Sequence, residues 1–198
     1  KVLVIIEVKI KNKLFGYVAL STRTKYSFID NDKLELLKIV SELIITTIQR
    51  VEAEYETLRL LQILESSKNE IFIYRFEDLK YEYANTSALN KVGITKDELL
   101  NYTPMDLLPE FDEESLRYML LPLVEGKKDT VTIQTYHSKV NGEFYPVEIT
   151  LIALKEKNRY IILHESRDIS DRIKAQELLW QKEQEYRSLL ESLEANVW

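Results

Sequence analysis

Two histidines, His137 and His164, twelve tyrosines and no cysteine define the chemistry open to this chain. Without cysteine there are no disulfides, thiolate metal sites or cysteinyl adducts. Four glycines are too few and too scattered for a phosphate-cradling loop. His164 follows Tyr160-Ile161-Ile162-Leu163, a strand-forming run, so it reads as a sheet residue. His137 closes another strand and reads as a histidine at the sheet rim, open to a ligand contact. Asp112-Glu113-Glu114 and the pair Glu183/Glu185 read as helix caps and a solvated helix face rather than catalytic dyads. No nucleophile–base pair or ligand cluster stands out, so no catalytic and no metal residue is assigned. Tyr74, Tyr83 and Tyr118 have apolar bodies and polar tips suited to lining a pocket for a small ligand. Packing alone explains these tyrosines equally well. A small apolar cavity is expected near Leu120, Ile133 and Ile149.

The elements that position these residues centre on 130–172. Thr130 to Tyr136 is rich in β-branched and aromatic residues and predicts a strand. Asn141-Gly142 predicts a tight hairpin with both residues at positive φ. Phe144 to Leu154 returns with Val147, Ile149 and Leu151 on one face. Asn158-Arg159 turns the chain into a third strand. Asp168-Ile169-Ser170-Asp171-Arg172 then starts a helix, with short polar side chains suited to cap its free N–H groups.

Upstream, Ile71 to Phe76 and Tyr81 to Ala84 predict two strands. Asn85-Thr86-Ser87 opens a helix that Gly93 ends, Thr95 and Glu98 form a capping box, and Asp112 caps a longer helix carrying Leu116, Met119, Leu120, Leu123 and Val124. The order of Tyr83-Ala84-Asn85, Gly93-Ile94-Thr95, Asp97-Glu98-Leu99-Leu100, Asp106-Leu107-Leu108-Pro109, Asn141-Gly142-Glu143, Tyr145-Pro146-Val147-Glu148 and Asp168-Ile169-Ser170 with Arg172 closely resembles a PAS domain. That resemblance covers residues 67–172 and implies an α+β fold, a five-stranded antiparallel sheet with helices on one side. In that family an Asp-Ile-Thr triplet ends the last strand and begins the output helix; here Ser170 replaces Thr and keeps the hydroxyl. Asp168, Ile169, Ser170 and Arg172 are therefore the expected signal junction. Haem-binding relatives carry a histidine on the long helix, and flavin-adduct photosensors a cysteine; both are missing here, so no haem, no covalent flavin and no other cofactor is expected. His164-Glu165-Ser166-Arg167 matches the His-Glu-x-Arg of a phosphoacceptor box only in letters, since that box needs a helix.

Val2 to Ile10 and Leu14 to Ser21 predict two strands joined by a turn at Asn12-Lys13. Tyr26 to Asp32 leads into a helix carrying Leu36, Leu37, Val40, Leu43, Ile44 and Ile48. This order, with Leu14-Phe15-Gly16-Tyr17-Val18-Ala19-Leu20, Phe28, Asp30 and Asp32, resembles the C-terminal half of a GAF domain, a partial α/β element. Neither Gly nor Pro appears from Asn31 to Lys68, which predicts one helix of about 50–55 Å. Leu37, Val40, Ile44, Thr47, Val51, Glu54, Leu58, Leu61 and Glu65 recur at three- and four-residue spacing, either a coiled-coil seam with two polar interruptions or the stripe of a connecting helix lying on its own domain. Leu64-Glu65-Ser66 before Ile71-Phe72 recurs as Leu190-Glu191-Ser192 before Val197-Trp198, so both ends read as cut edges of a tandem array.

The division expected is a GAF-like half at 1–50, a connecting signalling helix at 51–66, a PAS domain at 67–168, and an exit helix at 169–198 leading to a further PAS domain. With 27 basic and 33 acidic residues and no basic stripe, nucleic acid is not an expected partner. No run approaches a membrane span, so no membrane contact is expected. The resemblances imply a cytoplasmic sensory and relay module of a histidine kinase, homodimeric through its helices and open to a small-molecule ligand. The same array in a diguanylate cyclase or phosphodiesterase, or a ligand-free dimerisation spacer, is the alternative.

Overall fold

The structure, a computed structural model, describes residues 3–10, 13–21 and 31–195. The expectations at Val2, Asn12, Tyr26 to Asp30 and Val197-Trp198 lie outside them. The chain divides into two compact units, Lys1–Ile63 and Leu64–Trp198.

In the first unit, β1 (Leu3–Ile10) pairs antiparallel with β2 (Lys13–Ser21), with a bulge between Val8 and Lys9 near Gly16. The helix α1 runs Asn31–Ser66, a length that the lack of Gly and Pro permits. Val8, Leu37 and Ser41 are buried, and the Ser41 hydroxyl donates to the Leu37 carbonyl at 2.7 Å. Most other apolar residues of α1 stay exposed. They include Leu36, Ile39 and Leu43 as well as Val40, Ile44, Val51, Leu58 and Leu61, so the apolar surface is broader than a single seam. Glu54 is held by Arg50 one turn back, at 2.8 Å.

In the second unit, β3 (Glu70–Arg75), β4 (Tyr81–Ala84), β5 (Val131–Ser138), β6 (Phe144–Glu156) and β7 (Arg159–Asp168) form one sheet. Its order is β4-β3-β7-β6-β5, antiparallel throughout. The helices α2 (Thr86–Val92), α3 (Lys96–Leu99), α4 (Pro104–Leu107) and α5 (Glu113–Val124) connect its two halves, and α6 (Ser170–Ala195) follows. The expected α+β fold is thus present.

Local chemistry fixes these elements. Asn85, Thr95 and Asp112 cap α2, α3 and α5 through their side chains, and Gly93 ends α2 at φ 89°. The Asn141-Gly142 turn differs from expectation: only Gly142, at φ 83°, takes positive φ. Gly142 N–H donates to the Lys139 carbonyl and Lys139 N–H to Glu143, so this is a longer loop ending in a left-handed glycine. The core lies between one sheet face and the helices. Phe72, Val147, Ile149, Leu151 and Ile162 pack there against Leu99, Leu107, Leu108, Leu116 and Leu120, all at most 1 % exposed. On α5, Leu116, Leu120 and Leu123 make the inward stripe at i, i+4 and i+7.

Candidate functional site

The last strand feeds the exit helix through a small set of bonds. Ile169 is buried, its N–H donates to the Pro146 carbonyl at 3.0 Å, and its own carbonyl accepts the first turn of α6 from Ile173 at 2.9 Å. Asp168 Oδ1 accepts from the Ser170 N–H at 2.8 Å, an Asx turn that satisfies a free N–H at the start of α6. Its Oδ2 is 2.5 Å from the Lys91 ammonium on α2. Burial raises the Asp168 pKa, but the hydrogen bonds from Lys91 and Ser170 outweigh it and hold the carboxyl below its usual value. The local N–H bond is the expected one. Arg172, on the first turn of α6, reaches Glu148 on β6 at 3.3 Å.

Beside this junction runs a chain of buried polar groups. Tyr145 OH donates to Glu70 Oε2 at 2.8 Å, and His137 Nδ1 lies 3.0 Å from the same oxygen. Ser166 Oγ is 3.4 Å from His137 Nε2 and 2.7 Å from His164 Nε2. Both histidines and Ser166 are wholly buried and Glu70 is 3 % exposed. The bonds are mutually consistent if His137 donates from Nδ1, Ser166 donates to His137 Nε2, and His164 donates from Nε2 to Ser166. The His164 Nδ1 lone pair is then left without a partner, as are the hydroxyls of the adjacent Tyr74 and Tyr81. Burial, then electrostatic repulsion with the neighbouring His137 site, pushes the His164 pKa well down, and burial, then Glu70, pushes the Tyr145 phenol up. The two histidine rings meet edge-on at 5.3 Å. His137 is therefore no rim residue: period two along β5 places it on the inward face with Thr135 and Ile133. The same parity on β7 turns Ile162, His164 and Ser166 inward together. Counting faces is the signal that finds them; nothing in the sequence pairs either histidine with Glu70.

The six residues expected to line a pocket are not all brought together. Tyr74, Leu120 and Ile149 join the packed core, and Ile133 packs half-buried against it. Tyr83 and Tyr118 stand elsewhere. Tyr83 OH donates to Glu65 Oε1 at 2.8 Å. Tyr118 is 82 % exposed, because two residues past Leu116 is about 200° around α5. Glu65, expected on the coiled-coil seam, instead accepts the Thr86 N–H at 2.8 Å and its hydroxyl at 2.7 Å. Asn85 is a further residue that sequence reasoning saw only as a cap. It is fully buried, takes the Ile71 and Ala88 N–H groups on Oδ1, and donates to the Leu64 and Asn69 carbonyls. Among the described residues, no group of three or more potential ligands could hold a metal ion, and no helix is long and apolar enough to cross a membrane.

The second unit is thus an antiparallel five-stranded sheet with its helices on one face and its last strand bonded directly into a long helix. A PAS domain family model matches residues 68–171, and the chain belongs to that family. The fold is similar to the PAS domain of an HTR-like protein from Haloarcula marismortui, with 21 % identity over 62 % of this chain and 99 % of that one, TM-score 0.55. It is also similar to a domain of a sensory box sensor histidine kinase/response regulator from Geobacter sulfurreducens, with 22 % identity over 59 % and 96 %, TM-score 0.51. An RNA-binding light-oxygen-voltage receptor aligns at 17 % identity over 63 % and 36 %, TM-score 0.52. No curated protein matches the chain in sequence.

Proposed function

We propose that this chain is the cytoplasmic sensory and relay portion of a multi-sensor signal-transduction histidine kinase, in which a change in the PAS sheet is passed through α6 to an output domain. The observation that carries this reading is the junction: Asp168 caps α6 while its second oxygen holds Lys91 on α2. One carboxylate therefore links the last strand, a core-facing helix and the exit helix. The kinase parentage is suggested by the similar G. sulfurreducens domain, which comes from a sensory box sensor histidine kinase/response regulator. No catalytic role is assigned to these residues; output belongs to the parent.

Residues 1–50 are read as the C-terminal half of a GAF domain, followed by the connecting helix at 51–66, the PAS domain at 67–168 and the exit helix at 169–198. The order of β1, β2 and α1 supports the GAF reading, as do the exposed Ile5, Leu14, Phe15 and Tyr17. Two strands bury too little by themselves. The exposed apolar residues of α1, with Leu178, Leu179, Trp180, Tyr186 and Leu190 on α6, support a homodimer formed through the helices. The test is an insertion pair after Glu54 in the intact protein. One added residue rotates the downstream chain by about 100°, whereas seven restore the phase to within about 20°. One residue is expected to lock or abolish signalling and seven to leave it. Equal behaviour of the two insertions contradicts the helical relay.

A further inference from the structure

A cleft of about 340 Å³ opens between the start of β3, α2 and the end of β7, beside the junction. Its floor is Glu70 and Ser166, its wall Lys91 and Asp168, and its mouth Lys68 and Asn90. Glu70 is the informative residue. The residue as a whole is 3 % exposed, and both of its side-chain bonds, from Tyr145 and His137, fall on Oε2. Oε1 accepts no hydrogen bond among the described residues. It is also not among the sealed, unpartnered atoms of the core, which are Tyr74 Oη, Tyr81 Oη and His164 Nδ1. A nearly buried residue thus lines the cleft while one of its carboxylate oxygens is left unbonded by the described residues, and a cationic donor would satisfy that oxygen. Asp168 lines the cleft as a second acceptor, while Lys68, Lys91 and Asn90 supply donors.

We infer that this cleft binds a small zwitterion, a free amino acid or an ω-amino acid. Its primary ammonium donates to Glu70 Oε1 and Asp168, and its carboxylate accepts from Lys68 and Asn90. An occupant that draws on Asp168 weakens the Lys91–Asp168 pair at the residue that caps α6, so ligand binding and exit-helix geometry share one carboxylate. This inference rests on the relay reading and names its ligand class.

Isothermal titration calorimetry on the purified chain tests it. The probes are the twenty common L-amino acids and γ-aminobutyrate, with butylamine and butyrate as single-charge controls. At least one zwitterion is expected to bind at least tenfold more tightly than either control. Glu70→Gln is expected to weaken that binding tenfold or more. Should that buried variant misfold, the exposed-mouth variant Lys68→Ala/Asn90→Ala is expected to weaken it at least fivefold. No zwitterion binding below 10 mM overturns the inference, as do controls that bind equally well or binding indifferent to the folded variants. Signalling by Asp168 variants of the intact protein reads the relay separately, so a failed titration with an intact junction effect removes the ligand and leaves the relay.

Discussion

Replacing Asp168 separates the two bonds it makes. The Asx-type bond to the Ser170 N–H at 2.8 Å is worth about 0.5–1.5 kcal/mol, the usual net contribution of one hydrogen bond. The ion pair to Lys91 joins side chains 39 % and 30 % exposed, which keeps it in the range of about 0.2–1 kcal/mol. Asp168→Ala loses both and is expected to cost about 1–2 kcal/mol. Asp168→Asn keeps an oxygen able to cap and loses only the charge, so it costs about 0.5 kcal/mol. Lys91→Met costs a similar amount, and the double variant Asp168→Asn/Lys91→Met adds little, since the pair is already broken. Urea unfolding followed by far-ultraviolet circular dichroism reads these differences as shifts in midpoint at constant slope. Because the folded pKa of Asp168 is lowered, its contribution is present above the unfolded value of about 3.9 and is lost as pH falls through the folded value. The gap between wild type and Asp168→Asn is therefore expected to close in strong acid. Asp168→Asn as costly as Asp168→Ala would refute the cap, and a gap unchanged from pH 7 to pH 2 would refute the charged pair.

Asn85→Ala removes four hydrogen bonds from a fully buried position and strands the Ile71 N–H, so a loss of about 3 kcal/mol is expected by thermal or urea unfolding; a loss under 1 kcal/mol would show that the amide is replaceable by water. His164 is buried with its pKa well below 6.5, so the unfolded chain gains its proton first as pH falls. Stability is then expected to drop by up to about 1.4 kcal/mol per pH unit below about 6.5, and His164→Gln to flatten that slope; an equal slope in the variant contradicts it. Leu120→Ala, at a wholly buried core position, is expected to cost about 2–5 kcal/mol in the same unfolding assay. A substantially smaller loss would mean the helix layer collapses onto the gap.

Much of the fold is legible in residue spacing because its determinants are local. The capping oxygens of Asn85, Thr95 and Asp112 act on N–H groups three residues away, and Gly93 and Gly142 supply the positive φ their turns need. The inward parity of β5 and β7 is equally local, and following it to the strand ends places His137, His164 and Ser166 inside. What joins these residues is not local. Glu70 meets His137 across 67 positions, and Lys91 meets Asp168 across 77. Neither distance leaves a periodic trace, since long-range polar pairs are set by sheet order and helix placement. Tyr118 shows the converse: its residue type suggested a pocket, but its phase on α5 turns it to solvent.

The β7–α6 junction is the proposed carrier of the signal, and the signalling output of the full-length protein bearing Asp168→Ala is the decisive measurement. The PAS unit tolerates a loss of about 1–2 kcal/mol if it has the stability usual for its size. The variant should therefore fold normally by circular dichroism yet lose the difference in output between its stimulated and unstimulated states, with Asp168→Asn intermediate. Unchanged signalling in a folded Asp168→Ala protein would contradict the account.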